Sequence, residues 1–213
     1  MSSPARPPYW TRAKRALGAR DDTMARIITA HPRVALASRG DAFTTLARSI
    51  VGQQISVKAA EAVWRRFATC CGDLEPAAVL RRRARTLRAC GLSDRKVEYI
   101  RDLAQHFASG HVDPARFSEQ EDEAIIAELT DIRGIGRWTA EMFLIFNLLR
   151  PNVLPLDDLG LLKAVSLNYF DGEPMTGKGP RARITELASA WEPWRSVATW
   201  YLWRSLDPVP VEY

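Results

Sequence analysis

Residues 129–140 read Leu129-Thr-Asp-Ile-Arg-Gly-Ile-Gly-Arg-Trp-Thr-Ala140, and this stretch joins one predicted helix to the next. Its centre, Gly134-Ile135-Gly136, allows a tight turn between two helices, with backbone N–H groups that point outward. Together with the N-terminus of the helix that follows, those amides can hold a phosphate group. Gly-x-Gly alone is typical of an ordinary helix connection, but the flanking Leu129, Ile132 and Trp-Thr-Ala favour a helix–hairpin–helix. Such a motif holds the DNA backbone without reading its sequence.

Helical patterns also fill the rest of the chain, and no segment shows sustained period-2 alternation. Residues 118–121 have the spacing of a capping box for a further helix. Residues 138–149 are apolar nearly all round, as in a buried central helix. We therefore predict an all-α fold, with other helices over 41–50, 56–71, 81–89, 94–108 and 157–170, and from Pro180 and Pro193.

The helices are expected to form two lobes after a basic, proline-containing lead-in at residues 1–20, which becomes ordered from Tyr9-Trp10. The chain has 213 residues, a length that suits one such domain over 21–213. A break at 110–117 would separate a lobe of about 36–112 from a second lobe. That second lobe combines 21–35 with 113–213 and carries the hairpin at 129–140.

Composition and charge limit the classes of protein to which this chain can belong. The net charge of +5 makes a polyanionic partner plausible, although many basic proteins never contact nucleic acid. The longest apolar run, 142–149, is far shorter than the ~20 residues of a membrane span. Because the basic N-terminus has no apolar h-region, it is not a secretory signal. We expect a cytoplasmic protein without membrane contact, associated with the nucleoid if it is bacterial.

The chain has three cysteines, Cys70, Cys71 and Cys90. They cannot all pair, which favours a reducing compartment over a disulfide framework. They also cannot supply the ligands of an all-cysteine iron–sulfur cluster or zinc site. The histidines show no metal-ligand spacing with the cysteines (His31, His106 and His111). We therefore expect no iron–sulfur cluster and no metal held by side chains.

A second informative stretch is Leu154-Pro-Leu-Asp-Asp-Leu-Gly160. Pro155 imposes an extended approach, and Asp157 and Asp158 then stand at the start of a helix. One carboxylate can cap the helix while the other projects, although capping by both is the simpler interpretation. A negative charge is favoured at a helix N-terminus. Such a carboxylate can stabilise a cationic transition state or orient a water molecule.

These two stretches resemble the helix–hairpin–helix glycosylase superfamily of base-excision repair. Three further segments, 49–56, 90–99 and 191–196, are similar to its DNA-3-methyladenine glycosylase II branch. The likeness runs from about Ala25 to Asp207. It implies the compact helical form (the HhH-GPD fold), with an active-site cleft between the lobes and no additional N-terminal β domain.

The resemblance implies hydrolysis of the N-glycosidic bond of alkylated purines in double-stranded DNA, such as 3-methyladenine and 7-methylguanine. The base would be flipped out and an apurinic site left behind. Asp158 matches the catalytic aspartate and Asp157 its neighbour. Bifunctional relatives carry a lysine where this chain has Trp138, so no AP-lyase activity is expected. We expect a monomer that needs no cofactor for catalysis.

The resemblance also implies a pocket for the flipped base. Trp138 and Trp203 match base-stacking positions, and Met142 stands where some members have tyrosine. A methylated purine is cationic, so an aromatic face attracts it by about 0.5–2 kcal/mol. Packing in the core is the alternative for each aromatic side chain, and it is the preferred interpretation for Trp191, Trp194 and Trp200.

The loop at 52–55 matches the segment that fills the space left by the flipped base. Gln54 is the expected wedge, with Gln53 or Ile55 beside it; a solvated turn before a helix is the alternative. Arg81–Arg88 is interpreted as a solvated helix face. The remaining residues expected to contact DNA are Gly134, Gly136, Arg137, Thr139 and Lys163.

In this family the hairpin also binds a monovalent cation through backbone carbonyls. The matching positions are Thr130, Ile132 and Gly134, which would hold Na⁺ or K⁺. Where the family usually has Leu-Pro-Gly, this chain reads Ile132-Arg133-Gly134. Loss of the proline is expected to free the turn and to add a charge that can contact phosphate.

Two other functions remain open. A helix–hairpin–helix glycosylase for another lesion, such as an oxidised, deaminated or mismatched base, would share the same motifs. A non-catalytic DNA-binding module would keep the hairpin glycines but would not need Asp158 or the tryptophan pocket.

Overall fold

The computed structural model describes residues 7–32, 35–38, 40–175 and 178–206. Within these residues there are α-helices and one 3-10 turn (Pro114–Arg116) but no strand, so the all-α prediction is confirmed. None of the described helices has the length and apolar character needed to cross a bilayer. The α-helices are α1 (Trp10–Arg20), α2 (Asp22–Ala30), α3 (Ala42–Gly52), α4 (Val57–Cys71), α5 (Pro76–Leu80), α6 (Ala84–Ala89), α7 (Asp94–Ala108), α8 (Asp122–Thr130), α9 (Arg137–Phe146), α10 (Leu159–Tyr169), α11 (Lys178–Ser189) and α12 (Arg195–Leu206).

Side-chain caps begin several helices close to where the sequence predicts them. Asp41 accepts a hydrogen bond from Thr44 N at the start of α3, and Ser93 caps α7 in the same way. The expected capping box at 118–121 is wrong. Helix α8 begins later, at Asp122, and its N-cap Glu121 makes no side-chain capping bond. The helix expected over 81–89 is also shorter, because only 84–89 is helical.

One compact unit contains the described residues up to Ser38 and those from Leu144 onward. Helices α1 and α2 pack against α12, which also packs against α10. The Trp10 ring stacks on Tyr201, with 5.8 Å between centroids. Trp10 and Leu17 are buried, so residues 10–20 form a core helix rather than a lead-in. Residues 1–6 of the expected lead-in lie outside the described part.

The second compact unit contains the described residues from Gly40 to Phe143, in which α3 and α5 pack against α7. It also contains the hairpin, which was expected in the other lobe. Hydrogen bonds between residues far apart in the sequence explain why the hairpin belongs to this unit. Arg133 N donates to Asp102 of α7, and Gln53 donates to Gly134 O. The boundary therefore falls within α9, between residues 143 and 144, and not near 112.

Candidate active site

Asp158 is a buried carboxylate at the N-cap of α10, in the first unit. Its Oδ1 accepts hydrogen bonds from Leu161 N at 2.6 Å and from Trp203 Nε1 at 2.8 Å. Asp158 is only 4% exposed. The helix N-terminus and the indole N–H thus hold one carboxylate oxygen in place, at a position where the helix dipole favours negative charge.

Trp203 is itself fixed by other rings. It stacks on Phe146 with 5.7 Å between centroids and an interplanar angle of 12°. Trp200 meets it edge-on at 6.5 Å. Sequence reasoning predicted base stacking for Trp203 and missed its bond to Asp158. It missed Phe146 as well, because an apolar residue in an apolar run carries no chemical signal.

Gly160 leaves room for this arrangement. A Cβ atom there would lie 3.0 Å from Asp158 Oδ1 and 3.2 Å from Trp203 Nε1. Such contacts are tight for a carbon atom, so a side chain at residue 160 would press on the hydrogen-bonded pair. The last residue of the Asp-Asp-Leu-Gly stretch therefore contributes by having no side chain.

The two neighbouring aspartates have different surroundings. Asp158 caps α10, whereas Asp157 is exposed and forms an ion pair with Arg181. Of the two, only Asp158 combines burial with a fixed orientation. Lys163, expected to contact DNA, is exposed on α10.

In the second unit, the hairpin turn depends on Gly134. Its φ of 84° is in the left-handed region that favours glycine. A Cβ atom at residue 134 would lie 2.2 Å from Tyr99 Cδ2, so the ring of Tyr99 packs directly on the turn. Gln53 Nε2 donates to Gly134 O at 2.9 Å and ties the predicted wedge loop to the hairpin.

Arg133 replaces the family's proline in a way that differs from expectation. Its backbone N–H donates to Asp102 Oδ2 at 2.8 Å, a bond that proline cannot make. Its guanidinium forms an ion pair with Glu98. The turn is therefore tied to α7 and not freed, and the added positive charge faces a carboxylate of the protein.

Arg137 begins α9 and is held by two carboxylates. It binds Glu123 through two nitrogens, and its Nε donates to Glu141 at 2.9 Å. The hydrogen bond with Glu123 raises the pKa of Arg137 and lowers the pKa of Glu123. Two neighbouring carboxylates offset its charge, so contact of Arg137 with phosphate stays a prediction. Thr139 is buried, whereas Gly136 is exposed.

The predicted wedge loop follows α3. Gln54 has a φ of 58°, which is uncommon for a residue with a side chain and marks a constrained position. Lys96 Nζ donates to Val51 O and to Gln53 O, each at 2.7 Å. Burial lowers the pKa of Lys96. Ile55 is 40% exposed, as an apolar plug would be.

Trp138 and Met142 lie one turn apart on α9, so their side chains share a face of the helix. Met142 is buried and Trp138 is half-buried. Their roles in a base pocket stay predictions.

The expected cation ligands are backbone carbonyls of the hairpin. Ile132 O accepts a hydrogen bond from Ile135 N, and Gly134 O accepts one from Gln53. A carbonyl oxygen has two lone pairs, so each retains one after these bonds. Thr130 ends α8, where carbonyls lack partners within the helix. The donor set thus fits Na⁺ or K⁺, whose binding stays a prediction.

The family model for the HhH-GPD superfamily of base excision DNA repair proteins matches residues 47–193. This chain belongs to that superfamily. The match includes the hairpin, the wedge loop and Asp158, which are thus parts of one HhH-GPD domain.

Several relatives of this HhH-GPD protein are known. It is 32% identical to DNA-3-methyladenine glycosylase 1 of Schizosaccharomyces pombe, over 76% of this chain and 72% of the relative. The crystal structure of a DNA-3-methyladenine glycosidase from Bacillus halodurans has a TM-score of 0.83 and 33% identity, covering 97% and 93% of the two chains. An S. pombe 3-methyladenine DNA glycosylase in complex with abasic DNA has a TM-score of 0.75 and 28% identity, covering 94% and 100%.

Proposed function

We propose that this protein is a monofunctional DNA glycosylase that removes alkylated purines from double-stranded DNA. It hydrolyses the N-glycosidic bond of bases such as 3-methyladenine and 7-methylguanine and leaves an apurinic site. The observation that carries the proposal is the buried Asp158 carboxylate, held by Leu161 N and Trp203 Nε1. The names of the relatives, which are 3-methyladenine glycosylases, support the choice of lesion.

Asp158 acts on the sugar. As the base departs, positive charge develops at C1′ of the deoxyribose, as in other glycosidic cleavages. A fixed carboxylate stabilises that charge without having to reorient during the reaction. The same group orients the attacking water. An alkylated base is already cationic and leaves readily, so the mechanism assigns no general acid.

The hairpin and the wedge loop hold and distort the DNA. Backbone amides around Gly134 and Gly136 bind phosphate, as the turn geometry favours. Gln54 and Ile55 occupy the space of the flipped nucleotide, whose unstacking costs a few kcal/mol. If the hairpin carbonyls hold Na⁺ or K⁺, the ion adds positive charge next to the phosphate. The protein acts as a monomer.

Trp138 determines both the selection of the base and the type of reaction. Its aromatic face attracts a cationic base by about 0.5–2 kcal/mol. Trp138 stands where bifunctional relatives carry lysine, so no amine is present at that position to form a Schiff base and nick the strand.

The test is base release from methylated duplex DNA, with strand breaks scored before and after alkali. Wild type is expected to release 3-methyladenine or 7-methylguanine and to give breaks only after alkali. Asp158→Asn is expected to lose about 100–1000-fold in rate, in the range for removal of a preorganised electrostatic group. Asp171→Asn is the matched control, because this exposed aspartate of the same unit undergoes the same chemical change.

Three results would contradict the proposal. Breaks without alkali would show lyase chemistry. DNA binding without release of alkylated bases would direct attention to another lesion. Equal rates for Asp158→Asn and Asp171→Asn would remove Asp158 from the mechanism.

A further inference from the structure

A group of metal-ligating side chains lies outside the site described above. His106 near the end of α7, His111 in the following turn and Asp131 after α8 place three ligand atoms within 4.8 Å of one another. The two histidine rings are 5.1 Å apart. Sequence reasoning expected no metal bound by side chains, because it considered the histidines only together with the cysteines.

A backbone carbonyl sets the orientation of the His106 ring. Its Nδ1 lies 2.9 Å from Asp102 O. A carbonyl oxygen can only accept, so Nδ1 donates this bond and Nε2 is the ring nitrogen left for a metal. Nε2 lies 3.5 Å from Asp131 Oδ2.

The distances distinguish a metal site from ordinary hydrogen bonding. His106 Nε2 and His111 Nε2 lie 3.5 and 3.4 Å from Asp131 Oδ2. These separations exceed the usual hydrogen-bond range. They match the edges of a tetrahedron, about 3.4 Å, that follow from metal–ligand bonds of about 2.0–2.1 Å. His111 is exposed, so its ring can turn to shorten the edge between the two nitrogens.

Neighbouring groups hold the ligands in position. The bond from His106 Nδ1 to Asp102 O fixes the orientation of that ring, as outer-shell acceptors do in metal sites. Val112 N donates to His106 O and closes the turn that brings His111 back toward α7. The Asp102 carboxylate accepts from Arg133 N, so the same aspartate also contacts the hairpin.

We propose that His106, His111 and Asp131 bind one Zn²⁺ ion, with water as the fourth ligand. Two imidazoles and one carboxylate suit this borderline-soft ion better than Mg²⁺, which prefers oxygen ligands. The ion links the end of α7 to Asp131, which lies between Thr130 and Ile132 of the hairpin. This proposal does not depend on the reaction that the protein catalyses.

The experiment is calorimetric titration of the chelator-treated, full-length protein with ZnCl₂. Wild type is expected to bind one ion per chain. His111→Asn and Asp131→Asn are expected to bind at least about tenfold more weakly, the lower end of the loss found even for outer-shell changes. Both residues are exposed, so the variants should fold. His31→Asn is the matched control, because it removes the remaining histidine.

A second readout identifies the ligands. Co²⁺ in place of Zn²⁺ should give the visible absorption of a tetrahedral site without thiolate charge-transfer bands, and MgCl₂ should produce no binding heat. Zn²⁺ should raise the Tm of wild type more than that of His111→Asn. Absence of Zn²⁺ binding by wild type, binding by both ligand variants that is as tight as that of wild type, or thiolate bands from the cysteines would overturn the proposal.

Discussion

Asp158 Oδ1 receives hydrogen bonds from donors on two helices, the N-terminus of α10 and the indole of Trp203 on α12. The first follows from the sequence, because an aspartate at a helix start is an expected cap. The second joins residues far apart in the chain, and no local pattern reveals it. The sequence therefore predicted that Asp158 caps the helix, but it did not predict the hydrogen bond from Trp203 that orients the carboxylate.

Trp203→Phe tests this orienting bond. Phenylalanine retains an aromatic ring beside Phe146 but removes the N–H that donates to Asp158. Hydrogen bonds to charged groups contribute about 1.5–3 kcal/mol, so we expect single-turnover base release to slow by about 10–100-fold. Saturating DNA should not restore the rate of the variant, because the substitution disturbs the position of the Asp158 carboxylate and leaves DNA affinity unchanged.

Trp200→Phe is the control for this prediction. Trp200 is also buried and also contacts Phe146, but its Nε1 has no hydrogen-bond partner among the described residues. The same change in volume there removes no bond to Asp158. Equal losses in the two variants would mean that packing, and not the hydrogen bond, explains the effect of Trp203→Phe.

At the scale of the elements, the hairpin was predictable as a motif but not in its attachments. Gly134-Ile-Gly136 indicates the turn, because glycine can adopt the left-handed backbone conformation found at Gly134. The contacts of the turn with Tyr99, Asp102 and Gln53 come from residues distant in sequence. A local pattern cannot specify them, and for this reason the hairpin was assigned to the wrong set of helices.

Gly134→Ala is expected to destabilise the protein. A left-handed backbone costs a residue with Cβ about 1–2 kcal/mol, and the Tyr99 ring occupies the space of the new atom. We expect a loss of at least about 2 kcal/mol in the free energy of unfolding, measured in urea. Gly136→Ala should cost much less, since the described residues leave open space there. Tyr99→Ala should recover part of the loss in the double variant; no recovery would contradict the packing argument.

Lys96 holds the wedge loop through Val51 O and Gln53 O. Lys96→Met retains most of the aliphatic stem but removes both bonds. The loop should become less ordered, and base release from duplex DNA should slow by about tenfold, which corresponds to about 1.4 kcal/mol. Release from a substrate with an abasic site opposite the lesion should be affected less, because less unstacking is needed.

Arg95→Met, at the exposed neighbouring position, controls for loss of one positive charge. If both variants lose activity to the same extent and the loss depends equally on salt, the effect of Lys96 is electrostatic. The wedge-loop argument would then fail.

Across the molecule as a whole, the first compact unit packs the N-terminal helices α1 and α2 against α12, which also contacts α10. Tyr9, just before α1, donates its hydroxyl to Leu149 O at 2.5 Å. Tyr169, at the end of α10, donates to Asp21 Oδ2 at 2.7 Å. The sequence predicted that the N-terminal helices pack against the C-terminal ones. It did not predict that residues 10–20 form a helix of the core. Their basic composition obscured the buried positions Trp10, Ala13 and Leu17.

Tyr9 makes stability sensitive to alkaline pH. Burial raises its pKa from 10.0 to about 12. The protonated hydroxyl therefore stabilises the folded state fully below pH 10, and this contribution is lost as pH rises toward 12. Tyr9→Phe should lower the free energy of unfolding by about 1 kcal/mol at pH 8, and the difference from wild type should shrink by about pH 11.

Chemical denaturation at several pH values measures this difference. Between pH 8 and about pH 9 the gap between wild type and Tyr9→Phe should be constant, because both values lie below the pKa of the unfolded chain. A gap that stays constant up to pH 11 would show that the Tyr9 hydroxyl titrates normally in the folded protein.

The amide of Arg133 and the carboxylate of Asp102 have a consequence for how the hairpin can evolve. A proline stiffens a turn by its own ring, whatever surrounds it. Here a second helix contributes to the stiffness of the turn, because Asp102 of α7 accepts the hydrogen bond from the Arg133 backbone N–H. A substitution of Asp102 on α7 should therefore also affect the segment that we propose to bind the DNA backbone.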